Sequence, residues 1–340
     1  MKATTRIPFA FLCSVPFVMV LSNSLLIPVL PAIQDALDLT LFRVGLIITA
    51  FSLPAGLAIP FGGYLSDRLG RKRIIVPGLV VFGLGGLLAG LAPLFLPQKY
   101  QYAVILVGRV IQGIGAGGTY QVAMALTGDI FQTAERSKAL GLLEAANGLG
   151  KVTSPIIGAA AALLVWYAPF YVYPLLAIPS ALGVWYVVPE PGTPGKAVGP
   201  HQNRSSKPVK DQNLRAYLQT VRKIFREKAV PLLATFWVGL VVLFLLFGFL
   251  SWFSDVLERL LDVSGLLKGF VIAIPVAAMA LTSYISGTVM ERRLARWSKL
   301  VMVSGMLLIT AAAVGLSWLR GVYTMTAAIV VLGVGTGLVL

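Results

Sequence analysis

Three ionisable side chains lie inside otherwise apolar stretches of this sequence: Arg109, Glu144 and Lys151. Glu144, Asn147 and Lys151 are spaced three and four residues apart, which places them on one face of an α-helix. A charged group in hydrocarbon is costly, so it normally faces a bundle interior or a water-filled path. These residue types suit proton transfer and the binding of polar solutes, and Glu144 is our candidate proton carrier. The alternative is that this face only joins helices through hydrogen bonds.

A basic turn follows the second apolar stretch and reads GYLSDRLGRKR over residues 63–73. Glycines allow a tight turn, and clustered Lys and Arg anchor it at the inner membrane face. We expect the turn to gate a conformational change, with Asp67 facing a helix N-terminus or an arginine of the other half. The residues assigned to this gating turn are Gly63, Asp67, Arg68, Gly70, Arg71, Lys72 and Asp129.

The composition indicates which elements must hold these residues. Of 340 residues, 57% are apolar and 12% are charged, and the mean hydropathy is +0.86, which excludes an ordinary soluble domain. The apolar stretches are continuous rather than alternating, so they predict membrane-spanning α-helices of about 20 residues and not a β-barrel. The predicted spans are residues 8–31, 43–62, 74–94, 102–126, 138–164, 170–188, 229–250, 268–288, 299–318 and 321–340.

Lysine and arginine are concentrated in alternate connections, which indicates a multi-pass protein of the cytoplasmic membrane with its N-terminus inside. The basic residues behind the net charge of +15 therefore set the orientation of the chain in the membrane, and we expect no nucleic-acid partner. Residues 189–228 predict a cytoplasmic linker, flexible at first and ending in a basic amphipathic helix on the anionic inner leaflet. The linker separates an N-terminal six-helix bundle, residues 1–188, from an incomplete C-terminal bundle of about four spans, residues 229–340.

The C-terminal part repeats features of the N-terminal part. Residues 287–297, GTVMERRLARW, align without gaps with the basic turn at an offset of about 224 residues, which matches Asp67 with Glu291. Two halves in parallel are a known transporter architecture, with the binding site between them. We therefore expect an all-α membrane protein of two pseudo-symmetric helical bundles, with about ten of an expected twelve spans present. The missing C-terminal spans would make the chain a fragment or a truncated gene product.

Two glycine-containing motifs lie in the fourth and fifth spans. The fourth span reads RVIQGIG from Arg109 to Gly115. The fifth span carries spaced small residues around Ser154-Pro155, and Ser154 and Ala159 stand where two glycines would complete the pattern. The residues of this second motif are Gly141, Gly150, Ser154, Pro155 and Gly158. With the basic turn, these motifs resemble those of the major facilitator superfamily of secondary transporters, and specifically its drug:proton antiporter branch, where the second motif is associated with antiport.

The resemblance implies proton-coupled efflux of a small amphipathic compound or drug by alternating access, with Arg109 taking part in coupling. Two alternatives stay open: a metabolite or siderophore exporter or importer of the same superfamily, and a non-transporting truncated membrane protein. For the substrate cavity we favour Asn23, because drug pockets are mostly apolar with few polar groups. The other candidates are polar residues of the first span and aromatic residues of the seventh: Ser22, Ser24, Phe236, Trp237, Phe244 and Phe247. The resemblance also implies that Asp129, where family members have an acid that contacts the basic turn, pairs with Arg71; the alternative is a solvated loop acid. The residues expected to serve proton coupling or transport are Arg109, Gln112, Glu144, Asn147 and Lys151.

The sequence contains no pattern that indicates an enzyme. It has one histidine and one cysteine, and neither belongs to a Ser/His/Asp, Cys/His or metal-spaced cluster. We therefore expect no cofactor and no metal site. The expected partners are protons, a small-molecule substrate and the lipid bilayer, and we expect the protein to be a monomer.

Overall fold

The computed structural model describes residues 3–131, 133–189, 214–260, 262–289, 298–319 and 321–339, and its regular elements there are helical. The α-helices are α1 Ala3–Ser24, α2 Leu30–Leu37, α3 Leu41–Leu69, α4 Lys72–Phe95, α5 Gln98–Ala116, α6 Thr119–Ile130, α7 Thr133–Ala162, α8 Pro169–Val187, α9 Leu214–Arg259, α10 Gly265–Val289, α11 Ser298–Leu316 and α12 Val322–Val339. A short 3-10 helix, Ile27–Val29, lies between α1 and α2. We call α1–α8 the first half and α9–α12 the second half.

Eight helical segments among the described residues are long and apolar enough to cross a membrane. They are α1 to α2 taken together, α3, α4 and α8 to α12. Helices α5 to α7, which carry Arg109, Glu144 and Lys151, are not among the eight. Each of the ten predicted spans overlaps a helix, but the count of ten, and of two more beyond them, stays a prediction.

Two of the predicted spans are interrupted. The first helix ends at Ser24 and continues through the 3-10 helix into α2, since prolines at residues 28 and 31 remove backbone donors there. The fourth span divides into α5 and α6 at Gly117 and Gly118. Gly118 has φ of +82°, a left-handed conformation that favours glycine, and its backbone lies against Gly62 of α3. The continuous spans 8–31 and 102–126 were therefore wrong in detail.

The same glycine packing occurs in both halves. A Cβ built on Gly85 of α4 would lie 2.5 Å from the carbonyl oxygen of Gly108 in α5, and one on Gly108 would lie 2.6 Å from that of Gly85. In the second half, Gly305 of α11 and Gly335 of α12 face each other in the same way, at 2.7 Å in both directions. Small residues let helix backbones approach closely in a membrane, where the hydrophobic effect does not drive helices together. The third and fourth spans thus pack as the ninth and tenth do.

Helix α7 joins the two halves. Ser154 is fully buried and donates to the carbonyl oxygen of Leu21 in α1, and Gly158 lies against the backbone of Leu25. On its other side, the carbonyl oxygen of Pro155 lies beneath Gly269 of α10, where an added Cβ would come within 2.9 Å of it. The residues of the predicted antiporter motif from Gly150 to Gly158 therefore lie where α7 meets both α1 and the second half.

Helix α9 extends from Leu214 to Arg259 without interruption. The predicted amphipathic helix of the linker and the seventh span are therefore one helix, so the boundary placed at residues 228 and 229 is not a break. The side chains of residues 214–224 lie outside the described set, as do the linker residues 190–213 entirely. Residues 290–297, most of the second basic turn, also lie outside it.

Candidate functional site

A cavity of about 330 Å³ lies between the two halves. Among the described residues, its second-half lining is wholly apolar; we call this the apolar wall, formed by Leu243, Leu246, Phe247, Leu250, Val276 and Met279. Every polar side chain of the lining that the structure describes belongs to the first half. We call these the polar wall: two serines of α1 with Asn23, Tyr120, Gln121, Asn147 and Lys151. A cavity of this size, mostly apolar with a few polar groups, suits a small organic ligand.

Arg109 of α5 lies behind the cavity and is completely buried. Its Nε donates to the carbonyl oxygen of Ile47 at 3.1 Å, Nη1 to Gln112 Oε1 at 2.9 Å, and Nη2 to Asn23 Oδ1 at 2.8 Å. Within the described part of the chain, no carboxylate forms an ion pair with it. Three oxygen acceptors stabilise its positive charge, and so does the ring of Phe51, whose centroid is 4.6 Å from the guanidinium carbon.

Asn23 connects this buried network to the cavity. It lines the cavity, accepts from Arg109, and donates through Nδ2 to Ser52 Oγ at 2.9 Å. Gln112 occupies the other end of the network, where its Nε2 is buried without a hydrogen-bond partner in the part of the chain that the structure describes. A buried donor left in this way is costly, so the network around Arg109 is not fully satisfied in this conformation.

The three residues predicted to share a face of α7 have different surroundings. Asn147 and Lys151 both line the cavity, and Asn147 is buried. Glu144 lies nearer the start of α7, is exposed, and is not part of the lining; instead the hydroxyl of Tyr120 donates to its Oε1. The structure therefore brings Glu144 next to the cavity through Tyr120 rather than into it. The proton-carrying role of Glu144 stays a prediction.

The basic turn between α3 and α4 makes its described ionic contacts within the first half. Arg71 Nε donates to Asp129 Oδ2 at 2.5 Å, which is the pair that the sequence predicts. Asp67 pairs at 3.5 Å with Arg71 in its own turn, and its expected contact with a helix N-terminus or an arginine of the other half stays a prediction, since residues 290–297 lie outside the described residues. Lys72 Nζ donates to the carbonyl oxygen of Val188 at the end of α8. The turn thus connects the start of α4 to the ends of α6 and α8.

The remaining members of the turn and of the antiporter motif have looser surroundings. Arg68 donates to the hydroxyl of Tyr64, and Gly70 ends α3 with φ of +103°. A Cβ added to Gly63 or to Gly141 would meet nothing within 4 Å, so neither glycine is required by packing in this conformation.

Phe236 and Trp237 were wrongly predicted to line the cavity. Their exposed fractions are 57% and 67%, and neither is part of the lining. The aromatic residue of α9 that does line it is Phe247, about three turns further along the helix. Composition cannot separate these cases, because an aromatic side chain suits a lipid-facing surface as well as a cavity.

A charged cluster lies where α2, α9 and α10 meet, and the sequence did not predict it. Arg259 Nη2 donates to Asp35 Oδ1 at 2.8 Å across the two halves, and Arg259 Nε donates to Asp255 Oδ1 at 2.5 Å. Nearby, the buried Lys268 forms an ion pair with Glu258. The predicted spans ended at residues 31 and 250, so these charges were counted as loop residues. A signal was present, because Asp35 and Arg259 are 224 residues apart, which is the offset of the internal repeat.

One uncharged hydrogen bond lies close to this cluster. The hydroxyl of Ser254 in α9 is fully buried and donates to the carbonyl oxygen of Ile27 at 2.8 Å. Ile27 begins the 3-10 helix, and its carbonyl oxygen also accepts from the backbone N–H of Leu30, so the break in the first span presents to the second half a carbonyl that accepts two hydrogen bonds.

Comparisons with known proteins agree with this architecture. A family model for the Major Facilitator Superfamily matches residues 12–340. The bacillibactin exporter of Bacillus subtilis (strain 168) is 39% identical over 334 residues, which are 97% of this chain and 78% of that protein. The quinolone resistance protein NorA of Staphylococcus aureus is 33% identical over 155 residues, which are 46% of this chain and 38% of that protein.

Two solved structures have a similar fold. A bacterial homologue of the human lysosomal transporter Spinster, in an inward-facing and unoccupied conformation, has a TM-score of 0.73 at 19% identity, over 100% of this chain and 74% of that one. The human organic anion transporter MFSD10 (TETRAN) has a TM-score of 0.61 at 22% identity, over 99% of this chain and 86% of that one. With its helical fold and a family match over nearly its whole length, this multi-pass membrane chain belongs to the major facilitator superfamily of transporters.

Proposed function

We propose that this protein exports a small amphipathic compound across a bacterial cytoplasmic membrane by proton-coupled antiport. The observation that carries the proposal is the cavity between the halves, with its polar wall on one half and its apolar wall on the other. A cavity on the joint between two bundles changes its access when the bundles rock. Export rather than import is supported by the relatives, since one is a siderophore exporter and another a quinolone resistance protein.

The contacts around the cavity support a cycle with the outer side closed in this conformation. With the N-terminus inside, the ends of α2 and α9 lie at the outer face, and there the Asp35–Arg259 ion pair and the Ser254–Ile27 hydrogen bond join the halves. The ionic contacts described for the basic turn stay within the first half. Opening to the outside must break the outer pair, while the turn moves with the first half as one unit.

Coupling to protons runs through Glu144 in this proposal. Its carboxylate accepts from Tyr120, whose ring lines the cavity, and it interacts electrostatically with Lys151 of the polar wall. Adding a proton to Glu144 removes its negative charge, which changes both the Tyr120 hydrogen bond and the electrostatic environment of Lys151. Protonation of Glu144 thereby changes the electrostatic environment of the substrate cavity, although Glu144 does not line the cavity.

One transport experiment distinguishes two candidate substrates, bacillibactin and a quinolone, which the names of the two relatives suggest. Everted membrane vesicles from an efflux-deficient host are energised to acidify their interior, and uptake of bacillibactin and of a quinolone is measured. We expect gradient-dependent uptake of at least one, loss of that uptake in Glu144→Gln, and retention in Glu135→Gln on the same helix. Uptake that does not depend on the proton gradient would refute antiport. Full uptake by Glu144→Gln would show that Glu144 has no essential role in the mechanism.

A further inference from the structure

Lys151 is a cation in the cavity wall that forms no ion pair with any residue that the structure describes. It lines the cavity from α7, and it forms no hydrogen bond or ion pair with any described residue. The acid that acts on it is Glu144, and Glu144 does so through space, since its carboxylate oxygen is taken by the Tyr120 hydroxyl. A cation that lines a largely apolar cavity without a contacting counter-charge attracts an anion to this position.

A second donor lies beside Lys151. Asn147 is one helical turn earlier on α7, is buried, and lines the same cavity. The structure gives its side-chain amide no hydrogen-bond partner among the described residues. An ammonium and an amide one turn apart form a pair of donors that a carboxylate or phenolate can bridge.

The apolar wall opposite these donors determines which kind of ligand body the cavity can hold. Leu246 and Phe247 of α9 and Met279 of α10 present apolar side chains to the cavity, and no charged residue of the second half is part of the described lining. Methionine and aromatic side chains adapt to varied apolar groups. A ligand that satisfies both walls therefore has one negative group and one apolar body.

We propose that the cavity selects amphiphiles that carry a single anionic group, with the anion held by Lys151 and Asn147 and the apolar body held by the second-half wall. The proposal rests on the proposed function for its biological meaning, because it names the chemical class of the exported substrate. It also assigns Lys151 a role in substrate selection rather than in helix packing. The selected class excludes cations, which Lys151 repels.

The test uses three fluorescent dansyl probes of similar size with the purified full chain in lipid nanodiscs. N-dansyl-6-aminohexanoate is anionic, its methyl ester is neutral, and dansylcadaverine is cationic. We expect the anion to bind at least about tenfold more tightly than the ester, which is about 1.4 kcal/mol. Lys151→Met should remove this preference and leave ester binding unchanged, which shows that the variant is folded. Lys151→Arg should restore the preference for the anion.

A matched control is Lys138→Met, which removes an exposed lysine of the same helix and should keep the anion preference. Equal binding of anion and ester, a preference for the amine, or an unchanged preference in Lys151→Met would overturn the proposal. Binding in nanodiscs needs no proton gradient, so this experiment can refute the selection by Lys151 without testing the export function. A protein that prefers the anion but does not transport refutes only the export function, and one that exports without charge preference refutes only the selection by Lys151.

Discussion

Arg259 Nη2 lies 2.8 Å from Asp35 Oδ1, and this contact joins α2 of the first half to the end of α9 in the second. The two residues occupy equivalent places in the internal repeat, at the ends of the first and seventh spans. A pseudo-two-fold axis brings such equivalent ends together, so opposite charges there meet across the joint. In the proposed orientation, with the N-terminus inside, the pair therefore reports on whether the outer side is closed.

Loss of this pair should favour the outward-open state. In a Cys13→Ser background, which has no other cysteine, Ser254→Cys provides a thiol at a position buried between the halves. We expect Arg259→Gln to raise the rate at which a membrane-impermeant maleimide labels this thiol about fivefold or more. Arg226→Gln, at the opposite end of α9, should leave the rate unchanged. Equal rates in both variants would mean that the outer ion pair does not hold the halves together.

Replacing Arg109 by lysine should abolish most transport although the charge is kept. The guanidinium reaches Ile47, Gln112 and Asn23 at once, and one ammonium on a flexible stem cannot reproduce that planar arrangement. We expect Arg109→Lys to lower the export rate at least tenfold when the variant is present in the membrane at the wild-type amount. Arg226→Lys, on the exposed side of α9, is the control. Near-normal export by Arg109→Lys would show that charge alone is needed.

The glycine pair of α4 and α5 should be sensitive to a single methyl group. In Gly108→Ala the new Cβ would lie 2.6 Å from the Gly85 carbonyl oxygen, so the helices must separate. Overpacking of this kind costs about 1–3 kcal/mol, and we expect a lower melting temperature in detergent. Gly56→Ala in α3 meets nothing within 4 Å and should melt at or above the wild-type temperature. Identical melting of the two variants would contradict the close packing.

The inner ion pair should affect transport more than stability. Arg71 and Asp129 are partly exposed, and exposed pairs contribute only about 0–1 kcal/mol. We expect Asp129→Asn to leave the melting temperature nearly unchanged and to slow export several-fold, because the turn no longer moves rigidly with α6. The exchange Arg71→Asp with Asp129→Arg should restore part of the rate. Asp38→Asn, an exposed acid elsewhere, is the control, and no difference between it and Asp129→Asn would argue against a gating role.

Much of the fold follows from the sequence because hydropathy and motif spacing are local properties. The burial of Arg109 could be predicted from a charge inside an apolar stretch, and the Arg71–Asp129 pair was expected from the resemblance to the family. The outer cluster could not be found by hydropathy, because the helices extend past the apolar residues into charged ones that are paired across the halves. The phase of α9 was likewise hidden, so Phe236 and Trp237 were expected in the cavity together with Phe247, which does line it.

The central claim is that the two halves must separate at the outer end for transport to occur. The decisive measurement cross-links Asp35→Cys to Arg259→Cys, in the Cys13→Ser background, with a short reversible bis-thiosulfonate reagent. We expect transport to stop in the cross-linked protein and to return when a reductant releases the link, while either single cysteine treated in the same way stays active. Full transport by completely cross-linked protein would contradict the claim.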